Sequence, residues 1–408
     1  MRTGSSCGFL VACMLVTATH GGSVHLAVWN YEMAGERQFY ERLCDGFARE
    51  NPGAGATFEM GVWDDAHAKI AKWIEDGAGP DLVVVPDIWI AEFADGIRAY
   101  ESYVTEEFKA RFYPVLYDKS LYRGRLYGPV WATSTKALFY RTDLFQKAGL
   151  RPPRTLDELV VCARRLNDPP GHYGIGLPGA PEYDTADQFY FFFWGFGGEF
   201  FDASGKSAIN GPAGLKALSL YCDLPIRYRA TQPEIWRYNR NETQRLFERG
   251  QLAMFETGPW AIEALRKNAP GLPFGVVPLP TNAKPFAQII TDHLVIMKYS
   301  ARPDLCHRFI EYAYHPSRRW AFCALGMVPE LMAVGASRHF QADPAWKVFV
   351  DIIPTGKALP MMKWEPVEMA MREALSDALR GKRTYQQALG DVARAMDRAR
   401  EESRALAP

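Results

Sequence analysis

The stretch Leu126-Tyr-Gly-Pro-Val-Trp-Ala-Thr-Ser-Thr-Lys-Ala-Leu-Phe-Tyr140 decides how the chain is read. It continues as Arg141-Thr-Asp-Leu-Phe-Gln-Lys-Ala-Gly-Leu150 and Arg151-Pro-Pro-Arg-Thr-Leu-Asp-Glu158. Gly128-Pro129 is a breaker that sends the chain into an extended run from Val130 to Tyr140. That run is long for one strand, and its middle, Ala132-Thr133-Ser134-Thr135, is small and polar. Such a run can cross between two bodies as a hinge. A short helix follows, with Leu144, Phe145 and Ala148 on one face and Gly149 as its stop. Thr155 and Glu158 then stand at capping-box spacing, ahead of a stripe made by Leu156, Leu159, Val160, Ala163 and Leu166.

Outward from this stretch, strand and helix patterns alternate, which argues for α/β units. Val24 to Trp29 reads as a strand, and Phe39, Tyr40, Leu43 and Phe47 as a helix face. Thr57 to Val62 is a second strand. Asp64-Asp65 opens a helix carrying Ile70, Trp73 and Ile74. Asp81-Leu-Val-Val-Val85 is a continuous apolar strand of the kind buried in a parallel sheet, and a helix is expected over Trp89 to Ile97. Beyond the hinge, Tyr173 to Leu177, Leu252 to Glu256, Phe274 to Pro280 and Asp292 to Lys298 read as strands. Pro212 to Tyr221, Leu305 to Tyr314 and a segment opened by Pro366 read as helices, and Thr384 with Gln387 caps the last one.

The 408 residues exceed one typical core, so two lobes are the simplest arrangement. Lys+Arg and Asp+Glu are both 47, which leaves no basic field for nucleic acid. Arg2 followed by the apolar run Phe9 to Val16 reads as a secretory signal, too short to span a membrane. Two processing sites compete there. One is a cut after Ala18. The other is acylation of Cys13 in Leu10-Val-Ala-Cys13, which would tether the chain to the membrane. Cys44, Cys162, Cys222, Cys306 and Cys323 are scattered and odd in number, so small core residues are expected rather than a disulfide framework.

The quoted stretch resembles the solute-binding proteins of ATP-binding-cassette sugar importers, the relatives of maltose-binding protein. The resemblance rests on Leu138-Phe-Tyr140, Asp143-Leu-Phe-X-Lys-Ala-Gly-Leu150 and Pro152-Pro-X-Thr-Leu-Asp-Glu-Leu159. It extends in order through Gly79-Pro-Asp-Leu-Val-Val-Val85, Gly197-Gly198, Phe255-X-X-Gly-Pro-Trp260 and Phe274 to Pro280. It implies a two-lobed periplasmic-binding-protein fold of class α/β. Its discontinuous lobes would be joined by three crossings, near Thr133, Thr291 and Gly326. The expected division is a signal or anchor over 1–23, one lobe over 24–132 plus 291–325, and a second over 133–290 plus 326–408. The resemblance also implies an extracytoplasmic monomeric receptor that hands a carbohydrate to membrane permease subunits, with no enzymatic step. Where many relatives carry a Gly pair, this chain has Thr291-Asp292, which places a side chain toward the ligand region.

Competing chemistry is weak. Gly174-Ile-Gly-Leu-Pro-Gly179 matches a dinucleotide fingerprint, but two of its glycines lie within the expected strand and no helix opens inside it, so no cofactor is expected. Asp64-Asp65, Glu101, Glu106-Glu107 and Glu182 could pair for glycoside hydrolysis, yet solvated helix ends explain them. The eight His form no compact ligand set, so no metal is expected. The aromatic residues carry the signal. Trp29, Trp89, Trp131, Tyr190, Trp194, Trp260 and Trp364 fall near strand ends, hinges or helix starts, where open α/β sheets bind ligands. Sugar C–H faces stack on indole, and Asn30, Asp87, Gln188 and Asp292 supply partners for hydroxyls. For each ring the competing reading is ordinary core packing. The ligand-binding set expected from sequence is Trp29, Asn30, Asp87, Trp89, Trp131, Gln188, Tyr190, Trp260, Asp292 and Trp364. Within the same fold, glycerol phosphate or a polyamine is the alternative solute. A glycan-processing enzyme is the alternative of a different class.

Overall fold

The computed structural model describes residues 22–31, 33–182 and 185–405, so Cys13 and the signal region lie outside the described residues. Strand β1 (Ser23–Trp29) leads to helix α1 (Glu36–Glu50), β2 (Gly55–Gly61), α2 (Trp63–Asp76), β3 (Leu82–Pro86) and α3 (Asp87–Phe93). Helix α1 buries Phe39, Tyr40, Leu43 and Phe47, the stripe read from the sequence. Helix α3 begins at Asp87 and gives way to a 3₁₀ turn over Ala94–Gly96, so the helix expected over Trp89 to Ile97 starts earlier and tightens before its end.

The long run from Val130 is two strands, β4 (Val130–Thr135) and β5 (Ala137–Arg141), parted at Lys136. They belong to different sheets. Helices α4 (Thr142–Ala148) and α5 (Leu156–Arg165) follow. Gly149 ends α4 in the left-handed region, with φ 64°. The Thr155 hydroxyl accepts from the Glu158 amide at 3.1 Å, but the Glu158 carboxylate turns to the Arg154 amide, so only half of the expected reciprocal cap forms. Then come α6 (Thr185–Gly195), α7 (Pro212–Ile226), β6 (Met254–Thr257), α8 (Trp260–Asn268), β7 (Phe274–Val277) and β8 (Ala287–Ile296). Helices α9 (Pro303–Ala313) and α10 (Pro316–Cys323), strand β9 (Gly356–Lys357), and helices α11 (Glu365–Leu379) and α12 (Tyr385–Ala405) complete the order used below. Thr384 and Gln387 do cap α12 reciprocally.

The six-stranded sheet runs β9-β8-β3-β1-β2, with β4 also paired to β8, and the three-stranded sheet runs β6-β5-β7. β1 is parallel to β2 and β3, while β8 runs antiparallel to β3 and β4. Strands buried on both faces explain why β3 reads as an unbroken apolar run. Tyr173 to Leu177 is not the continuous strand expected. Only the bridges Tyr173 to Leu252 and Gly176 to Phe255 form. The backbone at Gly174 is pressed against the Ala163 carbonyl, and Pro178 follows.

Two cores result. One gathers β1, β3, β4 and β8 with α1 and α9, and reaches one side of the smaller sheet through Phe139 and Phe255 and helix α8 through Ile262. The other joins α5, α6, α7, α11 and α12. Trp89 packs against both, and Ile88 belongs to the second although α3 follows a strand of the first. Among the described residues, Cys44, Cys162, Cys222, Cys306 and Cys323 are buried free thiols.

Candidate functional site

Strand ends and crossings place a set of polar and aromatic side chains where the lobes meet. On the first-lobe side, Pro86 pairs with Asp292 across β3 and β8, bringing Asp87 and the Thr291-Asp292 pair together. Asp292 Oδ2 accepts a 2.7 Å hydrogen bond from the Tyr31 hydroxyl. Asp87 accepts from the Ile88 amide at 2.8 Å, and its Oδ2 lies 3.2 Å from Thr291 Oγ1. Burial pushes both carboxyls up to about 7, and the charge of Asp292 adds to the shift of Asp87. Glu36, which accepts from the Tyr31 amide, is pushed by burial to about 7 as well. Tyr31 and Trp89 flank Trp63 edge-on, with ring centroids 5.4 and 6.4 Å away.

On the second-lobe side the organising residue is Lys136, the break between β4 and β5. Its ammonium lies 3.7 Å from Asp187 and 4.9 Å from the centre of the Trp260 ring, and its side chain is 3% exposed. Arg240 sits 4.6 Å from the centre of the same ring. Two cations over one indole are held by its π density. Glu368, hydrogen-bonded by Arg372 at 3.2 Å, is pushed up to about 8 by burial and by the charge of Asp187. Trp364 and Tyr190 lie 6.1 Å apart beside it.

The two sides are joined at Gly326. A Cβ there would lie 3.0 Å from the Trp260 Cα and 3.1 Å from the Met33 sulfur, so the segment after α10, the loop after β1 and the start of α8 meet at one point.

On the segments that carry or adjoin these groups, several buried polar atoms have no hydrogen-bond partner in the protein. Among the described residues these include Thr133 Oγ1, Thr135 Oγ1, Gln188 Oε1, Tyr190 Oη, Thr257 Oγ1, Trp260 Nε1 and both polar atoms of the Gln288 side chain. Buried polar atoms are nearly always satisfied, because each orphan costs about 1–3 kcal/mol. Thr133 and Thr135 share one face of β4, two residues apart, and Thr133 pairs with Thr291. A ligand bearing many hydroxyls, each both donor and acceptor, matches such a set.

The ten residues expected from sequence divide. Asp87, Trp89, Gln188, Trp260 and Asp292 are among the groups just described, as are Tyr190 and Trp364, which are fully buried. Tyr190 and Trp194 were expected outside helical stripes. Both are inside α6, whose residues are buried all round because the helix runs between other helices of its core. Trp29 donates from Nε1 to the Val84 carbonyl at 2.7 Å and stacks on Trp73. Trp131 donates to the Tyr40 hydroxyl and stacks on that ring. Both indoles are at most 1% exposed and engaged within the first core. Asn30 is exposed at the end of β1. Sequence reading missed Tyr31, Trp63, Lys136 and the orphan threonines. Lys136 did leave a signal, as the one charge in an otherwise apolar or small run.

This geometry, two α/β lobes linked by crossing segments with a polar and aromatic seam between them, defines a two-lobed binding fold. The chain belongs to the family described as bacterial extracellular solute-binding protein, whose model matches residues 32–317. It is similar to a putative binding protein of Brucella abortus, with 28% identity over 392 residues and 94% of each chain covered. It is also similar to the maltotriose-binding protein of Pyrococcus abyssi, at 26% identity, covering 87% of this chain and 78% of the relative. Among solved structures, the maltose-bound MalE3 of T. maritima superposes with a TM-score of 0.83 at 21% identity. That match covers 92% of this chain and 99% of the other, and establishes the shared fold. No helix among the described residues is long and apolar enough to cross a membrane.

Proposed function

We propose that this chain is the substrate-binding receptor of an ATP-binding-cassette importer, and that it holds a mono- or oligosaccharide between its lobes for delivery to the permease. The observation that carries the reading is the set of buried polar atoms without a hydrogen-bond partner, among them Trp260 Nε1, Tyr190 Oη and the hydroxyls of Thr133 and Thr135. Relatives named for maltotriose and a neighbour bound to maltose support the sugar class. The ligand contacts are assigned to Asp87, Trp89, Gln188, Tyr190, Trp260, Asp292 and Trp364, joined by Tyr31, Lys136 and Glu368. The lobes are assigned to 24–132 plus 291–325 and to 133–290 plus 326–408. The change of sheet at Lys136 supports a first crossing a few residues past Thr133. The protein acts as a monomer outside the cytoplasm, returns its ligand chemically intact, and is anchored through an acylated Cys13.

A thermal-shift screen over mono-, di- and oligosaccharides tests the function. A ligand at a hundred times its Kd adds about 2.7 kcal/mol to stability by mass action. At least one neutral sugar should raise the melting temperature, and chromatography should recover it unchanged. A screen in which no sugar moves the transition overturns the carbohydrate reading. Intact mass of the membrane-extracted protein tests the anchor, and an unmodified chain beginning at Thr19 overturns it.

A further inference from the structure

Away from the polar seam, one histidine stands between carboxylates of the two lobes. His67 is on α2, whose Ala66 and Ile70 belong to the first core. Glu365 opens α11, whose Val367 and Met371 belong to the second. His67 Nε2 lies 3.1 Å from Glu92 Oε2 on α3 and 3.7 Å from Glu365 Oε2. The rings of Trp89 and Phe93, with centroids 5.1 and 5.0 Å away, hold the imidazole in place. The histidine side chain is 27% exposed, so protons exchange with it freely.

We propose that His67 is a proton-operated latch. When charged, it ties Glu365 of the second lobe to Glu92 of the first, and so favours the closed, ligand-holding form. The inference rests on closure of the two lobes over a ligand.

One ring nitrogen faces two carboxylates. A neutral imidazole can satisfy only one of them by hydrogen bonding, whereas an imidazolium attracts both. Glu92 shares a lobe with His67 and stays beside it whether the lobes are open or closed. Glu365 is beside it only when they meet. The charged groups around the ring are therefore Glu92 on α3, Glu365 on α11, and Asp64, Asp65 and Lys69 on its own helix. Lys69 and Asp65 lie 3.9 Å apart as a pair. Glu368, a turn beyond Glu365, is engaged by Arg372. The hydrogen bond to Glu92 is the largest influence and raises the proton affinity of His67, burial opposes it, and the charge of Glu365 adds to it. A site that binds a proton more tightly in the closed form shifts the population toward that form as pH falls. Exposed pairs of this kind are worth roughly a two- to fivefold change in affinity.

The test is a histidine C2–H NMR titration of the full chain as wild type and as Glu365→Gln, first without sugar and then with maltotriose as probe. His67 should titrate at lower pH in Glu365→Gln, and maltotriose should raise its midpoint in wild type alone. Between pH 8 and 5.5, maltotriose affinity should gain roughly two- to fivefold more in wild type than in His67→Gln. Equal midpoints in the two proteins under every condition overturn the latch. So does a His67→Gln protein that keeps the full pH dependence. If maltotriose does not bind, the carbohydrate reading is tested separately by the thermal-shift screen, and the latch is decided by the same titration with the solute that raises the melting temperature: a midpoint raised in wild type alone supports it, and equal midpoints overturn it.

Discussion

Asp87 and His293 are joined through one hydroxyl. Thr291 Oγ1 lies 3.2 Å from Asp87 Oδ2 and 3.2 Å from His293 Nε2, and His293 Nδ1 is 3.0 Å from the Gly128 carbonyl. The carbonyl only accepts, so Nδ1 carries a proton. The hydroxyl has one hydrogen to give to two neighbours. For every contact to be a hydrogen bond, the trio must hold one further proton, on Asp87 or on His293. Burial favours the uncharged arrangement, pushing His293 down to about 4 and Asp87 up to about 7.

This fixes how stability should vary with pH. Glu36, Asp87 and Asp292 have folded values of about 7, and Glu368 of about 8, all above their ordinary values near 4. Stability from a raised group is fully present below its unfolded value and is lost as pH rises through the folded one. His293 acts in the opposite sense, costing stability as pH falls from 6.5 toward 4. Four groups outweigh one, so the melting temperature should fall between pH 5 and pH 8. Asp87→Asn, whose amide can donate to Thr291, should remain folded and flatten the slope. A melting temperature that rises over this range contradicts the assignment.

Most elements were legible because they follow from local chemistry. The apolar run at Leu82–Val85, the Gly149 stop and the Thr384–Gln387 cap are each written in a few adjacent residues. The site was legible only in part. Tyr31 and Asp292 are 261 residues apart, and only the sheet order brings them together. Trp131 and Trp260 look alike in sequence, both beside breakers. What separates them is burial: the first is sealed against Tyr40, while the second keeps a partly exposed ring under two cations. The aromatic run Phe189–Phe193 has no periodicity to reveal a helix, because every face of that helix is covered.

That contrast predicts opposite phenotypes for two tryptophans. Trp131→Ala should cost about 3–5 kcal/mol of stability, the usual cost of emptying a core aromatic site. Trp260→Ala should leave the fold nearly as stable and weaken sugar binding by about 1–3 kcal/mol. Calorimetric titration paired with urea unfolding of each variant gives both numbers. A Trp260→Ala protein that binds at wild-type strength removes this residue from the site.

The ion pair of Arg319 and Glu330 is fully buried, with Nε 2.6 Å from Oε1. Arg319 also donates to the Trp131 carbonyl and lies over the Trp131 ring. Removing one partner strands a charge where water cannot reach it. Glu330→Gln should therefore destabilise by about 3–5 kcal/mol in urea unfolding. Arg319→Met with Glu330→Gln removes both charges and should recover part of that loss. A single variant as stable as wild type would show that the pair opens to solvent.

Gly326 gives the sharpest test of closure. Its φ of 149° lies where side chains are strained, and an added Cβ would crowd backbone and side-chain atoms of Trp260 and the sulfur of Met33 at about the same time. Each neighbour must give by a few tenths of an ångström, and a slight parting of the Met33 loop from the Trp260 helix start relieves both contacts. Gly326→Ala should therefore bias the protein toward the open form at a cost of about 1–3 kcal/mol, weakening sugar binding roughly five- to a hundredfold. Its radius of gyration in small-angle scattering should stay larger than wild type at equal sugar concentration. Gly381→Ala is the control. That glycine has φ 64° with nothing within 4 Å of a Cβ, so it carries the backbone penalty without touching the seam. It should lose about 1 kcal/mol of stability and keep wild-type affinity. If Gly326→Ala behaves like Gly381→Ala in both measurements, the crossing at Gly326 does not control closure.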